Sequence, residues 1–385
     1  MTEHEADAAF CTAALDAAAE HYRGFVETYA NPREIPRSFG ATGVRLVQAE
    51  DWTSGFPAGC LWLLYAHTGD STWRDAAETR TVALESQSLR TDTHDVGFVI
   101  ENTFGAGLRL TGNAKYRDVV IRAAESLALR FSPVVGATRS WDFGGYTFPV
   151  IIDNMMNLEV LFHAQKLRGG GSFRLIAETH ARTTLTHHFR PDRSSYHVVD
   201  FDPASGRVLR KQTHQGLADE SAWARGQAWG LYGFSAAYRE TGEREFLEQA
   251  RGIAEFYVNH PALPADLVPL FDFDAAERTD VPKLRDTSAS AIAASALLEL
   301  AGFVDAAAGE RYRRFALETL RSLSTPAYHA RLGENGHFLL THSVGNYPSG
   351  DELGVAITYA DYYYLEALLR GVRALESRAS KASAT

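Results

Sequence analysis

Two aspartates in this sequence are distinguished by the company they keep. Asp95 follows His94 and precedes Gly97-Phe98, and Asp153 precedes Asn154-Met155-Met156-Asn157. Carboxyl groups that crowd together and are partly buried rise in pKa, which is what a general acid working near neutral pH requires. A third segment carries Gln212-Thr213-His214-Gln215-Gly216, followed by Trp223, Arg225, Gln227 and Trp229. Arg225 and Trp229 are four residues apart and so share one face of a helix. A guanidinium beside an indole suits a sugar acid, with charge for the carboxylate and a flat apolar face for the ring. Each residue taken singly has a plainer reading. Asp is a favoured helix N-cap, a Trp on a buried helix is commonly core, and Arg225 could pair with Glu220. His187, His188, His197 and His214 lack a His-x-x-x-His spacing with a third ligand, so no metal is expected, and no cofactor. No glycine-rich phosphate loop, serine nucleophile elbow or Cys-His pairing is present.

The elements that must position these residues emerge from a repeat. A Gly, a polar residue and then an aromatic recur at Gly69-Asp70 before Trp73, Gly112-Asn113 before Tyr116, and Gly170-Gly171-Ser172 before Phe173. The phrase returns at Gly242-Glu243 before Phe246 and at Gly309-Glu310 before Tyr312. Each Gly follows an apolar helical pattern and suits a helix C-cap, and the polar residue suits the next N-cap. The helices sort into two sets. Those near 55–67, 97–110, 154–167, 220–240, 287–302 and 352–370 are apolar and rich in small residues. Those near 8–29, 72–89, 114–130, 173–189, 244–258 and 310–323 are amphipathic. A helix apolar all round is buried, and one with a polar face lies outside. The pattern predicts an all-α fold, an (α/α)6 barrel of six helical hairpins, with a linear solenoid as the alternative. Residues 1–375 are expected to form one domain and 376–385 a flexible C-terminal tail. Only short strands are expected, near 195–210 and 336–342.

In an alternating barrel the inner helices run the same way, so their starts gather at one rim. Just ahead of those starts lie Asp51-Trp52, His94-Asp95, Asp153-Asn154, Asp219-Glu220, Asp286-Thr287 and Asp351-Glu352.

The formal net charge of −10 argues against nucleic acid or an anionic membrane as partner. An anionic substrate would need a local basic pocket. Cys11 and Cys60 make no disulfide framework. The start of the chain lacks the basic and apolar regions of a secretory leader, and the most apolar stretch, 288–304, is Ala- and Ser-rich and contains Glu299. A cytoplasmic protein is expected.

Several phrases together resemble the unsaturated glucuronyl hydrolases of glycoside hydrolase family 88. They are Trp52-Thr53-Ser54-Gly55-Phe56, His94-Asp95-Val96-Gly97-Phe98, Ile152-Asp153-Asn154-Met155-Met156-Asn157, Arg225-Gly226-Gln227-Ala228-Trp229 and Asp361-Tyr362-Tyr363-Tyr364-Leu365-Glu366-Ala367-Leu368. The resemblance spans almost the whole chain and implies the same six-hairpin barrel. It implies Asp153 as catalytic acid/base and Asp95 as its partner carboxylate. It implies substrate contacts from Trp52, His94, His197, Thr213, Gln215, Trp223, Arg225 and Trp229, with Trp141 as a sugar-stacking wall. The implied substrate is the 4,5-unsaturated uronic acid at the non-reducing end of lyase-generated oligosaccharides, expected as a disaccharide, with a monomer or homodimer as the working unit.

The sequence also departs from that family. Pro57-Ala58 follows Phe56 in place of an aromatic, and Tyr359-Ala360 replaces Trp-Gly. The loop Asn346-Tyr347-Pro348-Ser349-Gly350-Asp351 carries no Lys or Arg, which predicts a preference for unsulfated or lightly sulfated substrates. Two rivals stand beside this reading: an unsaturated rhamnogalacturonyl hydrolase on the same scaffold, and a non-catalytic carbohydrate-binding barrel. The paired Asp95 and Asp153 argue against both.

Overall fold

A computed structural model describes the backbone of residues 2–382 and the side chains of residues 2–375. The outer helices are α1 (Glu3–Thr28), α3 (Ser71–Val82), α6 (Ala114–Ala128), α8 (Phe173–His187), α10 (Arg244–Val258) and α12 (Ala306–Leu323). The inner ones are α2 (Phe56–Thr68), α4 (Val96–Ile100) continued by a π-helical turn (Glu101–Gly105) into α5 (Ala106–Thr111), α7 (Asn154–Arg168), α9 (Ala224–Thr241), α11 (Thr287–Leu300) and α13 (Thr358–Ala382). Neighbouring inner helices touch all the way round, and α13 returns to pack on α2, so the ring closes. That closure makes the fold an (α/α)6 barrel and excludes the linear solenoid.

The two helix sets differ in burial as their sequences require. All of α11 except Glu299 is buried, and its Ala and Ser side chains let α9 and α13 approach closely. α10 and α12 bury a single stripe, the signature of an amphipathic outer helix. One apolar core extends from Cys11 to Leu369.

The repeated glycines do what the sequence predicts at most positions. Gly69, Gly112 and Gly242 end inner helices in the left-handed conformation (φ 68, 68 and 72), which costs glycine little because it lacks Cβ. Asp70 and Asn113 then cap the next helix. In the third copy the C-cap is Gly169. In the last copy Gly309 lies inside α12, whose cap is Asp305, so there the expected cap is wrong.

The structure also corrects the strand count. A four-stranded sheet joins 43–47, 35–40, 351–357 and 343–346, and a three-stranded sheet joins 149–151, 198–201 and 208–212. The first was not expected, and residues 352–357 are strand where the sequence predicted helix. Residues 336–342 hold a 3-10 turn, not a strand. Both sheets sit at the rim where the inner helices begin. Among the described residues no helix is long and apolar enough to cross a membrane. The last three residues of the expected tail, and the side chains from 376 on, lie outside the described residues.

Candidate active site

The acidic helix starts do not all behave alike. Asp286 is an ordinary N-cap: its backbone is extended (φ −125, ψ 94) and its carboxylate accepts from the amides of Ser288 and Ala289. Asp95 and Asp153 also occupy N-cap positions, but their backbones are near-helical (φ −70, ψ 2 and φ −60, ψ −24), and neither caps. An N-cap side chain reaches the amides of its own helix from an extended backbone. Turned away from that geometry, neither carboxylate is spent on the amides of its own helix. Asp219 and Asp351 are not at helix starts at all. α9 begins after Trp223, and Asp351 opens a strand. Asp51 folds onto Thr53, accepting from its amide at 2.9 Å and its hydroxyl at 2.7 Å.

Asp153 is 6% exposed, and its Oδ2 has no hydrogen-bond partner. Burial pushes its pKa up to about 7; Arg225 pulls it down and the charge of Asp95 pushes it up again. His197 Nε2 stands 3.6 Å from Oδ2. The Nδ1 of His197 accepts from the amides of His214 and Gln215 at 3.1 and 3.2 Å. That fixes the tautomer, so the ring proton sits on Nε2 and points at Asp153. Burial keeps the His197 pKa well below its usual value, so the ring stays neutral.

Asp95 has a matching arrangement. His94 Nε2 stands 3.3 Å from its Oδ1, and His94 Nδ1 faces the side-chain amide of Asn157 at 3.3 Å. Asn157 is itself oriented because its Oδ1 accepts from the Phe98 amide at 2.7 Å. Burial also raises Asp95 to about 7, with the Thr93 hydroxyl bond opposing that rise and the Asp51 charge adding to it. The two carboxyl groups are nevertheless unequal. Asp95 accepts from Thr93 at 2.8 Å, and about 21% of its side chain is open to solvent, so it holds charge more readily. When like groups compete for one proton, the drier and less hydrogen-bonded member keeps it. That member is Asp153.

Arg225 is fully buried. Its guanidinium is held by Asp286 at 3.2 Å, by the Val344 carbonyl and by the Gly345 carbonyl at 2.6 Å. It lies over the rings of Trp223 and Tyr359, and Nε has no partner. The expected alternative partner, Glu220, bonds elsewhere, to Tyr196. Trp223 stacks on His197 with centroids 4.3 Å apart. Trp229 is also buried, between Phe98 and Tyr363, and its indole N–H has no partner of bonding geometry but acts on Asp153 from close by. Trp52 is half-buried and stacks on Tyr359 at 5.0 Å. Trp141 stacks on Phe143 at 5.1 Å and packs on His214 at 5.1 Å. Gln215 donates to the Gly345 carbonyl, and the Thr213 hydroxyl accepts from Gly216 to shape the turn beneath it. The predicted residues thus divide into the two His–Asp pairs, a buried cation, and aromatic walls.

No family model matches the chain. It is 46% identical over 341 residues, 87% of this chain and 84% of the relative, to the unsaturated glucuronyl hydrolase of Formosa agariphila. It is 30% identical over 352 residues, 90% of this chain and 86% of the relative, to the unsaturated chondroitin disaccharide hydrolase of Streptococcus agalactiae. The crystal structure of an unsaturated glucuronyl hydrolase specific for heparin superposes with a TM-score of 0.91 at 45% identity, covering 94% of this chain and 97% of that one. The chain belongs to the unsaturated glucuronyl hydrolase family.

Several groups at the site carry little signal in the amino-acid sequence. Thr93, between Asp92 and His94, carries no motif signal of its own. The carbonyls of Val344 and Gly345 carry no side-chain signal at all. Asn157 stood in a quoted phrase, but its contact with His94 spans 63 positions. Tyr359, wedged between Trp52 and Arg225 with an unpartnered hydroxyl, was noted only as a departure from the family.

Proposed function

We propose that this chain hydrates the 4,5-unsaturated uronic acid at the non-reducing end of lyase-generated oligosaccharides, with Asp153 as acid/base. Protonated Asp153 delivers its proton to C4 of the enol ether, and positive charge spreads over C5 and the ring oxygen. Ionised Asp95 favours that charge electrostatically. The Asp153 carboxylate then takes a proton from water as the water adds at C5. The hemiketal so formed opens and rearranges, releasing the rest of the sugar. The carboxyl spacing rule for ordinary glycosidases does not apply, because the glycosidic carbon is not attacked.

One observation carries this reading: Asp153 is a buried carboxyl with a free oxygen at a helix start, able to hold a proton near neutral pH. Arg225 and the aromatic walls of Trp52, Trp141 and Trp223 are proposed to receive the uronate and its neighbour. A monomer or homodimer is proposed as the working unit, with residues 1–375 as the catalytic domain. The enol ether absorbs in the far ultraviolet, so loss of that absorbance when the protein meets lyase-generated disaccharides tests the proposal. An unchanged absorbance with hyaluronan, chondroitin, heparin, ulvan and gellan products would overturn it.

A further inference from the structure

Within the aromatic wall assigned above to the neighbouring sugar, Trp141 offers no open face. It is only 7% exposed. Phe143 lies nearly parallel on its ring (interplanar angle 15°, centroids 5.1 Å apart), His214 packs against it at 5.1 Å, and Tyr146 meets its edge at 5.7 Å. Phe143 is the reverse case. It is 58% exposed, with Trp141 behind it. A single exposed aromatic means little by itself; what distinguishes Phe143 is how it is held and where.

The turn that carries Phe143 is fixed on both sides. Before it, Asp142 accepts from both terminal nitrogens of Arg130 at 3.2 Å and pairs with Arg139 at 3.0 Å. After it, Gly144 and Gly145 run in the left-handed region (φ 78 and 69), and the Gly145 carbonyl accepts from Arg210 at 2.7 Å. Arg210 is in turn held by Asp200 at 3.1 Å. The ring is thus presented on a prepared backbone, and little ordering remains to be done when a ligand lies on it.

The same turn is rooted in both His–Asp pairs. The Ser140 carbonyl accepts from the His94 amide at 3.0 Å. His214, whose ring stands 6.3 Å from Phe143 and 6.1 Å from His197, gives its amide to His197 Nδ1. Phe143 therefore stands beside the reacting centre, one ring beyond His197, where the next sugar of a chain would lie. A sugar presents a face of C–H groups, which an aromatic face buries without asking for hydrogen bonds.

We propose that Phe143, backed by Trp141, is the platform on which the sugar next to the unsaturated uronate lies, an inference that rests on the hydration reading above. The test compares kcat/KM on an unsaturated disaccharide with kcat/KM on the methyl glycoside of the same unsaturated uronate. The methyl glycoside keeps the reacting ring and lacks the second sugar. Native protein, Phe143→Ala and Phe143→Tyr are measured by loss of far-ultraviolet absorbance. Phe143 lies outside the buried cluster of Trp141, Ile151 and Val198, so its variants fold. Phe143→Ala is expected to lower the disaccharide-to-methyl-glycoside ratio about fivefold or more, chiefly through the disaccharide KM. Phe143→Tyr keeps the native ratio. An unchanged ratio in Phe143→Ala overturns the proposal. So does a raised ratio, which would mean that Phe143 merely screens Trp141 from the sugar. Native protein that hydrates neither substrate overturns the hydration reading, and this proposal with it.

Discussion

His197 Nε2 and Asp153 Oδ2 face each other at 3.6 Å, and neither atom has a hydrogen-bond partner. Two unpartnered polar atoms at that separation leave the Asp153 oxygen unclaimed inside the protein. The oxygen that would carry the reacting proton is therefore free to turn toward substrate.

Asp153→Asn should abolish most turnover and spare the fold. General acid–base groups typically contribute about 10²–10⁴-fold, and here one residue serves in both proton transfers, so a loss at the upper end is expected. Asp153 caps nothing, so the melting temperature should not fall. Full rate in the absorbance assay would exclude Asp153 as the acid.

The pH profile should be a bell set by the aspartate pair alone. His94 is held at about 3 and His197 well below its usual value, both chiefly by burial, so neither titrates in the working range. Activity falls as pH rises through about 7, because Asp153 loses its proton. It falls on the acid side as Asp95 gains one. In Asp95→Asn the neighbouring charge that raises Asp153 is gone. The Asp153 pKa then drops and the alkaline limb of kcat/KM moves to lower pH; a limb that stayed put or moved up would contradict this coupling.

Arg225→Met should destabilise the protein as well as inactivate it. Removing one member of a buried ion pair costs about 3–5 kcal/mol, because the other charge is stranded, and here Asp286 and two carbonyls lose their donor. Denaturant midpoints measure the loss. Adding Asp286→Asn, which removes the stranded charge and keeps a cap acceptor, should return part of the stability and none of the activity; strictly additive effects would show that the pair is not coupled.

His197→Phe keeps the stack on Trp223 but leaves the amides of His214 and Gln215 without an acceptor. Each unsatisfied buried donor costs about 1–3 kcal/mol. A fall in melting temperature together with a raised KM is expected, since Gln215 follows that turn. An unchanged melting temperature would mean that the turn finds other partners.

Matched sulfated and unsulfated unsaturated disaccharides should be turned over unequally, with the unsulfated one faster. The 346–351 loop has no cation of its own, and the arginine beside it, Arg45, is bound to Asp351 at 2.8 Å. Faster turnover of the sulfated sugar would contradict this.

Much of this was legible in the sequence, because barrels of this kind write burial into composition. An Ala- and Ser-rich helix such as α11 can be read as inner without any partner, and a glycine followed by a capping residue marks a hairpin. Asp95 and Asp153 were legible as helix starts, but not as free carboxylates, because a cap and a catalytic residue differ there by one ψ angle. The rim sheet was missed for another reason. Its strands pair residues 35–40 with 351–357, and no local pattern reports a partner more than 300 positions away. Arg225 was legible as the cation of the site, but not the carbonyls of that same sheet that hold it.

The ring closes through contacts between α2 and α13, the first and last inner helices. Translation therefore sets an order on assembly. Until the final helix has left the ribosome, α2 and α11 both lack a neighbour, and their apolar faces are open to water or to other chains. Tyr359 arrives only with that helix, and the carbonyls that hold Arg225 shortly before it. A nascent or truncated chain lacking α13 would thus be aggregation-prone and catalytically silent together, and activity becomes a readout of ring closure.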